Sequence, residues 1–384
     1  MTTEISHINV QYTKTIGRGE QFGPGFTYPI YVARGKEGIM YVLCRGTEFR
    51  PEGVRVVVCT TDEEYISVFA RGIDYQGPHA HNMDDGSLVW PTSIALDSQE
   101  NLYISDEWLN RISVFSKDGD FLGKWEERTG SGDGELDRPS GMAFDADDNL
   151  YIVDSGNHRV QKFNKDGKYL AQFGTYGSGD SQFDMPWGIT IDEAGAIYIA
   201  DWRNDRIQKF SPDGTFLMKF GSSGQDDGEF YRPTGIAVDK DGIIYVTDFK
   251  NDRLQVFDAD GTYMTQLQGE ATLSKWGTER VNLDPSMVRG RLNAPGLEER
   301  EKRFHGPIAV EVDDEGHVFV VETSRQRLQV FRKQNCHLRW WAPVSIPTPP
   351  HTRVNPQKNR KAGLMAGRPM ACITRSLSHH RLGW

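Results

Sequence analysis

The chain has 384 residues, of which 26% are charged and 37% hydrophobic, with 40 glycines, a balance that suits many short strands joined by tight turns rather than long helices. Its formal net charge of -10 is uneven: residues 335–384 hold eight Lys/Arg and no Asp/Glu, which leaves residues 1–334 at -18, with 36 basic and 54 acidic side chains. So acidic a body repels phosphate backbones and disfavours nucleic-acid binding.

No apolar run approaches the roughly 18 residues that span a bilayer. The opening MTTEISHINVQYTK lacks the pattern of a secretory signal, so a cytoplasmic location is expected. Cys44, Cys59, Cys336 and Cys372 show no CxxC spacing, and neither a thiol redox motif nor a zinc knuckle is indicated.

From the N-terminus, Tyr12–Gly17 and the Gly-rich stretch after it match the pattern of Tyr169–Gly174, which closes a unit further along. A degenerate first unit follows, with strands predicted at Tyr28–Ala33, Met40–Leu43 and Gly53–Val58. Four units in register come next, opening with WPTSIALD (90–97), RPSGMAFD (138–145), MPWGITID (185–192) and RPTGIAVD (232–239); their prolines, Pro91, Pro139, Pro186 and Pro233, are 48, 47 and 47 residues apart. A sixth opens with GPIAVEVD (306–313), 74 residues further on. Each of the last five carries a second phrase: SDEWLNRISVF, VDSGNHRVQKF, ADWRNDRIQKF, TDFKNDRLQVF and VETSRQRLQVF.

Within the unit from residue 138, strands are predicted at Gly141–Asp145, Leu150–Val153, Arg159–Phe163 and Tyr169–Gly174, with Asp166-Gly167 supplying a hairpin turn. Four antiparallel strands per unit, repeated six times, predict an all-β, six-bladed β-propeller, because radial closure protects the edges of such small sheets. Blades are expected to begin near residues 28, 90, 138, 185, 232 and 306 of a single domain, 1–334. The N-terminal segment is expected to supply the outer strand of the last blade. Residues 270–305 form an insertion with a helix-compatible Leu297–Arg303, and 335–384 read as a basic tail without strand pattern, expected to be disordered.

These phrases resemble NHL repeats, whose name-giving triplet Asn157-His158-Arg159 nearly spells. The Pro-x-Gly-[Ile/Met]-Ala-x-Asp and [Leu/Ile]-Tyr-[Ile/Val]-x-Asp phrases fit the same family, over about residues 8–334. The resemblance implies the six-bladed fold. It leaves function open, because the family includes interaction modules as well as a lyase that cleaves peptidyl hydroxyglycines.

One acid per blade recurs at Asp106, Asp154, Asp201, Asp248 and Glu322, with Cys44 in the first unit. One arginine recurs at Arg55, Arg111, Arg159, Arg206, Arg253 and Arg327. A group present in every blade is expected to be structural, the carboxylate and guanidinium pairing to hold a loop. Specificity is expected where blades differ, on the rim bearing the inter-blade loops: Trp90, Trp108, Trp187, Trp202 and Phe249, with Tyr28, form the candidate ligand-binding set.

The expected function is a binding scaffold for a protein, peptide or small molecule, acting as a monomer. The alternative is a metal-dependent enzyme of the amidating-lyase or lactonase kind. It would use His79, His81 and His305 around zinc or calcium, with Asp106 or Glu107 as base.

Overall fold

Leu150-Tyr151-Ile152-Val153 presents apolar side chains to both faces of a strand, and the strand that it forms, Leu150–Asp154, is buried throughout. Its neighbour Pro139–Phe144 lies on one side and Arg159–Phe163 on the other, and Tyr169–Phe173 completes the sheet. The turn before this last strand contains Gly167 at φ 79°, as the Asp166-Gly167 pair predicts. Burial declines outward: the second strand is wholly buried and the fourth is half-buried to exposed.

The computed structural model describes residues 8–20, 23–47, 50–72, 85–125 and 129–334. It repeats this unit six times. The inner strands of the blades are Pro29–Arg34, Pro91–Leu96, Pro139–Phe144, Ile189–Ile191, Pro233–Val238 and Pro307–Val312. Each touches the inner strands of its two neighbours, and the sixth returns to the first, so the ring is closed. Blade 6 is composite: Asn9–Ile16 pairs antiparallel with Arg327–Gln334, placing Val10 against Lys333.

Close approach at the axis dictates residue size. A Cβ added at Gly188 would lie 2.0 Å from the Thr234 carbonyl oxygen of the next blade. Further out, rings fill the wedges between blades: Phe173, Phe183 and Phe210 pack at 4.8 to 6.5 Å between blades 3 and 4, and Phe220, Phe230 and Phe257 repeat the arrangement one blade on. Each buried phenyl contributes roughly 2 to 3 kcal/mol.

The insertion carries three helices, Lys275–Asn282, Pro285–Leu292 and Leu297–Lys302. Ser274 caps the first by accepting from the Gly277 N–H. Trp276 on that helix is buried and packs edge-on to Phe26, at 5.9 Å. The buried Glu63 carboxylate accepts the N–H groups of both Gly17 and Lys275. The insertion is thereby fastened to the junction where the ring closes. None of the described helices is long and apolar enough to cross a membrane.

Candidate functional site

The repeated acid and arginine form one framework. Arg159 Nε lies 2.8 Å from Asp154, Arg206 2.8 Å from Asp201, Arg253 2.8 Å from Asp248 and Arg327 2.6 Å from Glu322. In blade 3, Asn157 and Gln161 also donate to Asp154, whose other oxygen accepts from the Asp137 N–H. Arg159 donates in turn to the carbonyls of Ser131, Gly132 and Glu135. Blades 4 and 5 repeat these bonds, so each loop entering a blade is tied to that blade's own second and third strands. Burial raises the carboxyl pKa of Asp154, Asp201 and Asp248 despite these donors. In blade 1 a buried thiol, Cys44, stands at the acid's position, and Arg55 donates to the carbonyls of Glu20 and Gly25.

A second set of bonds links consecutive blades. Asn110, His158, Asp205 and Asp252 each have left-handed backbone, at φ 48° to 57°. Their side chains accept the N–H of Arg138, Met185, Arg232 and Gly306, the residue before the next blade's first proline. His158 is therefore one link in a chain around the rim, with Nδ1 as acceptor.

Blade 2 departs from this pattern. Leu109 stands where blades 3, 4 and 5 have Asn157, Asn204 and Asn251, and the buried Asp106 accepts four main-chain N–H groups, from Val89, Trp90, Trp108 and Leu109. Trp108 is 49% exposed. It meets Trp90 edge-to-face at 6.1 Å, and the Arg45 guanidinium lies 4.5 Å over the Trp90 ring while pairing with Glu107.

The other aromatic candidates are placed apart. Trp202 lies under Arg232 and Arg203, at 4.9 and 5.7 Å, between blades 4 and 5. Phe249 is covered by Lys250 at 5.1 Å, and Tyr28 is 39% exposed. Trp187, on the inner edge of blade 4, packs on the apolar cluster that blades 1 and 2 build around Ile30 and Ile94. Blade 4 faces blade 1 across the ring, so this indole crosses the axis.

His305 is exposed, with Nδ1 3.4 Å from Asp252. His79 and His81 lie outside the described residues, as does the 335–384 tail. Among the described residues no three His, Cys, Asp or Glu are grouped to hold a metal ion.

On the opposite face, where the turns between first and second strands lie, a cavity of about 700 Å³ opens along the axis. Arg34, Lys36, Asp97, Glu100, Glu311 and Asp313 are among its lining residues. Sequence reasoning passed over it, although Glu311 interrupts a column of small residues, Ala33, Ala95, Ala143, Thr190 and Ala237, at the same register of the inner strands. Burial pushes the Glu311 carboxyl up to about 7, against the opposing effects of a hydrogen bond from Tyr31 and the charge of Arg34. Tyr31 is itself raised, first by burial and then by Glu311.

The NHL repeat family model matches residues 136–163, 183–210 and 230–257, the three blades with the complete acid, Asn, Arg and Gln framework. The chain is an NHL-repeat six-bladed β-propeller. No curated protein matches the sequence. Among solved structures, the NHL propeller is similar to a Bacteroides thetaiotaomicron protein of unknown function, with 18% identity, 85% of this chain and 77% of that chain covered, and TM-score 0.56. It is also similar to a catalytically inactive virginiamycin B lyase from Staphylococcus aureus with quinupristin, with 12% identity, 85% and 99% coverage, and TM-score 0.51. A streptogramin B lyase gives 11% identity, 85% and 98% coverage, and TM-score 0.50. At such identities the likeness is one of fold.

Proposed function

We propose that this NHL propeller is a recognition module that holds a protein or peptide partner on the rim bearing the inter-blade loops, centred on Trp90 and Trp108. The observation that carries the reading is the rewiring of blade 2. Where blades 3 to 6 spend the buried acid on their own framework, Asp106 instead fixes the main chain of two tryptophans, one of them half exposed. A rigid aromatic pair flanked by Arg45 and Glu107 is the kind of anchor that dominates interface energies. Glu107 is occupied by Arg45 and Asp106 is wholly buried, which favours binding over proton transfer at this place.

The test is selection of peptides from a random display library on the wild-type propeller, followed by affinity measurement on Trp108→Ala. Binders that weaken at least about tenfold, with the melting temperature nearly kept, support the reading. Binders indifferent to Trp108, or a variant that unfolds, end it. Zinc or calcium chemistry at His79, His81 and His305 is a separate proposal with its own test. Stoichiometric metal that is lost in a His79→Ala/His81→Ala variant supports it, and metal-free wild-type protein ends it.

A further inference from the structure

The inner strands of a closed ring have little room, and two of their columns show this. At one register the blades carry Tyr31, Ser93, Gly141, Gly188, Gly235 and Ala309; two residues on they carry Ala33, Ala95, Ala143, Thr190, Ala237 and Glu311. Each column has one large polar exception. The two exceptions come from blades 1 and 6, which are adjacent in the ring, and Tyr31 and Glu311 lie close enough to perturb each other's titration. Both side chains line the axial cavity of about 700 Å³, within the range of small-molecule sites.

The cavity's walls are of two kinds. Ala95, Ala143 and the Tyr31 ring supply apolar surface, while Arg34, Lys36, Asp97, Glu100, Glu311, Asp313, Asp314 and Glu315 supply six carboxylates against two cations. Both cations are engaged: Arg34 pairs with Asp313 at 3.1 Å and lies 4.7 Å over the Phe319 ring, and Lys36 is 3.6 Å from Glu100. The field in the cavity is therefore that of uncompensated carboxylates, and low-dielectric walls strengthen it. With no three-group cluster for a metal ion among the described residues and the apolar surface of Ala95, Ala143 and Tyr31 beside the acids, the complementary ligand has a positive end and an apolar body.

We propose that the axial cavity, on the face away from the tryptophan rim, binds a small organic cation, an amine or guanidinium on an apolar body, with Glu311 as counter-charge and Tyr31 beside it. A charged hydrogen bond to a half-buried carboxylate is the interaction that separates such a ligand from its neutral analogue. The site is independent of the rim reading, because none of its lining residues belongs to the tryptophan cluster.

Calorimetric titration of the full chain with phenethylamine, its neutral counterpart 2-phenylethanol, and calcium chloride tests the proposal. The amine is expected to bind and the alcohol to bind at least about tenfold more weakly. Glu311→Gln is expected to lose the amine by a similar factor, Tyr31→Phe to weaken it less, and Trp108→Ala to leave it unchanged. Thr190→Leu, which fills the cavity while keeping Glu311, is expected to abolish binding and guards against a general effect of changing charge. Amine binding that survives Glu311→Gln or Thr190→Leu, equal binding of amine and alcohol, absence of amine binding to the wild type, or calcium binding that depends on Glu311 would each overturn it.

Discussion

Glu311→Gln should remove a pH-dependent loss of stability from the propeller. An unfolded chain releases the Glu311 proton near the ordinary 4.5, whereas the folded protein holds it up to about 7. Between these values the folded state binds the extra proton, so stability falls as pH rises, at about 1.36 kcal/mol per pH unit. The interval of some 2.5 units gives a loss of about 3 kcal/mol, complete above pH 7 and absent below 4.5. Glutamine imitates the protonated acid and has no such slope. Urea unfolding followed by tryptophan fluorescence, from about pH 5 to pH 8.5, measures both proteins. The variant should gain on the wild type as pH rises, by under about 1 kcal/mol at the acid end and about 3 kcal/mol at the alkaline end. Parallel curves, or a wild type that gains on the variant as pH rises, would refute the reasoning.

Arg206→Ala should cost about 3 to 5 kcal/mol because it strands the buried Asp201 carboxylate, while the exposed neighbour Arg203→Ala should cost under about 0.5 kcal/mol in the same thermal melts. Gly188→Ala would set a Cβ 2.0 Å from the Thr234 carbonyl oxygen, and a drop in yield or melting temperature larger than for Gly123→Ala, where a Cβ meets nothing within 4 Å, is the expected result. Burial pushes the thiols of Cys44 and Cys59 up to about 11 and about 12, so iodoacetamide at neutral pH should leave both unlabelled in peptide maps of the native protein and label them after denaturation.

The ring was legible because it repeats. Pro91, Pro139, Pro186 and Pro233 recur at nearly constant spacing, and one structural role explains Asp154, Asp201 and Asp248 together. The exchange of Asn9–Ile16 into blade 6 was equally open to reading, since Tyr12–Gly17 has a strand's pattern and the sixth unit loses the repeat pattern after Lys333. Trp187 shows the limit. By chain order it stands beside the rim loops, but from its place just before the inner strand it reaches across the axis onto a cluster of blades 1 and 2, a contact between distant blades that no local pattern encodes. Tyr31 and Glu311 each left a sign, as the large polar member of a small-residue column. That sign has meaning only when the repeats are aligned by strand register, because each stands alone and forms no motif with its neighbours in sequence.

The composite sixth blade also sets an order of events during synthesis. Asn9–Ile16 leaves the ribosome long before Arg327–Gln334, the strand it must pair with. At about 5 to 20 residues per second the delay amounts to some tens of seconds. Throughout that time Asn9–Ile16 lacks the strand it pairs with in the finished blade, the condition in which strands recruit wrong partners. A chaperone that shelters Asn9–Ile16 would act on this interval, so a strand made early waits for one made late.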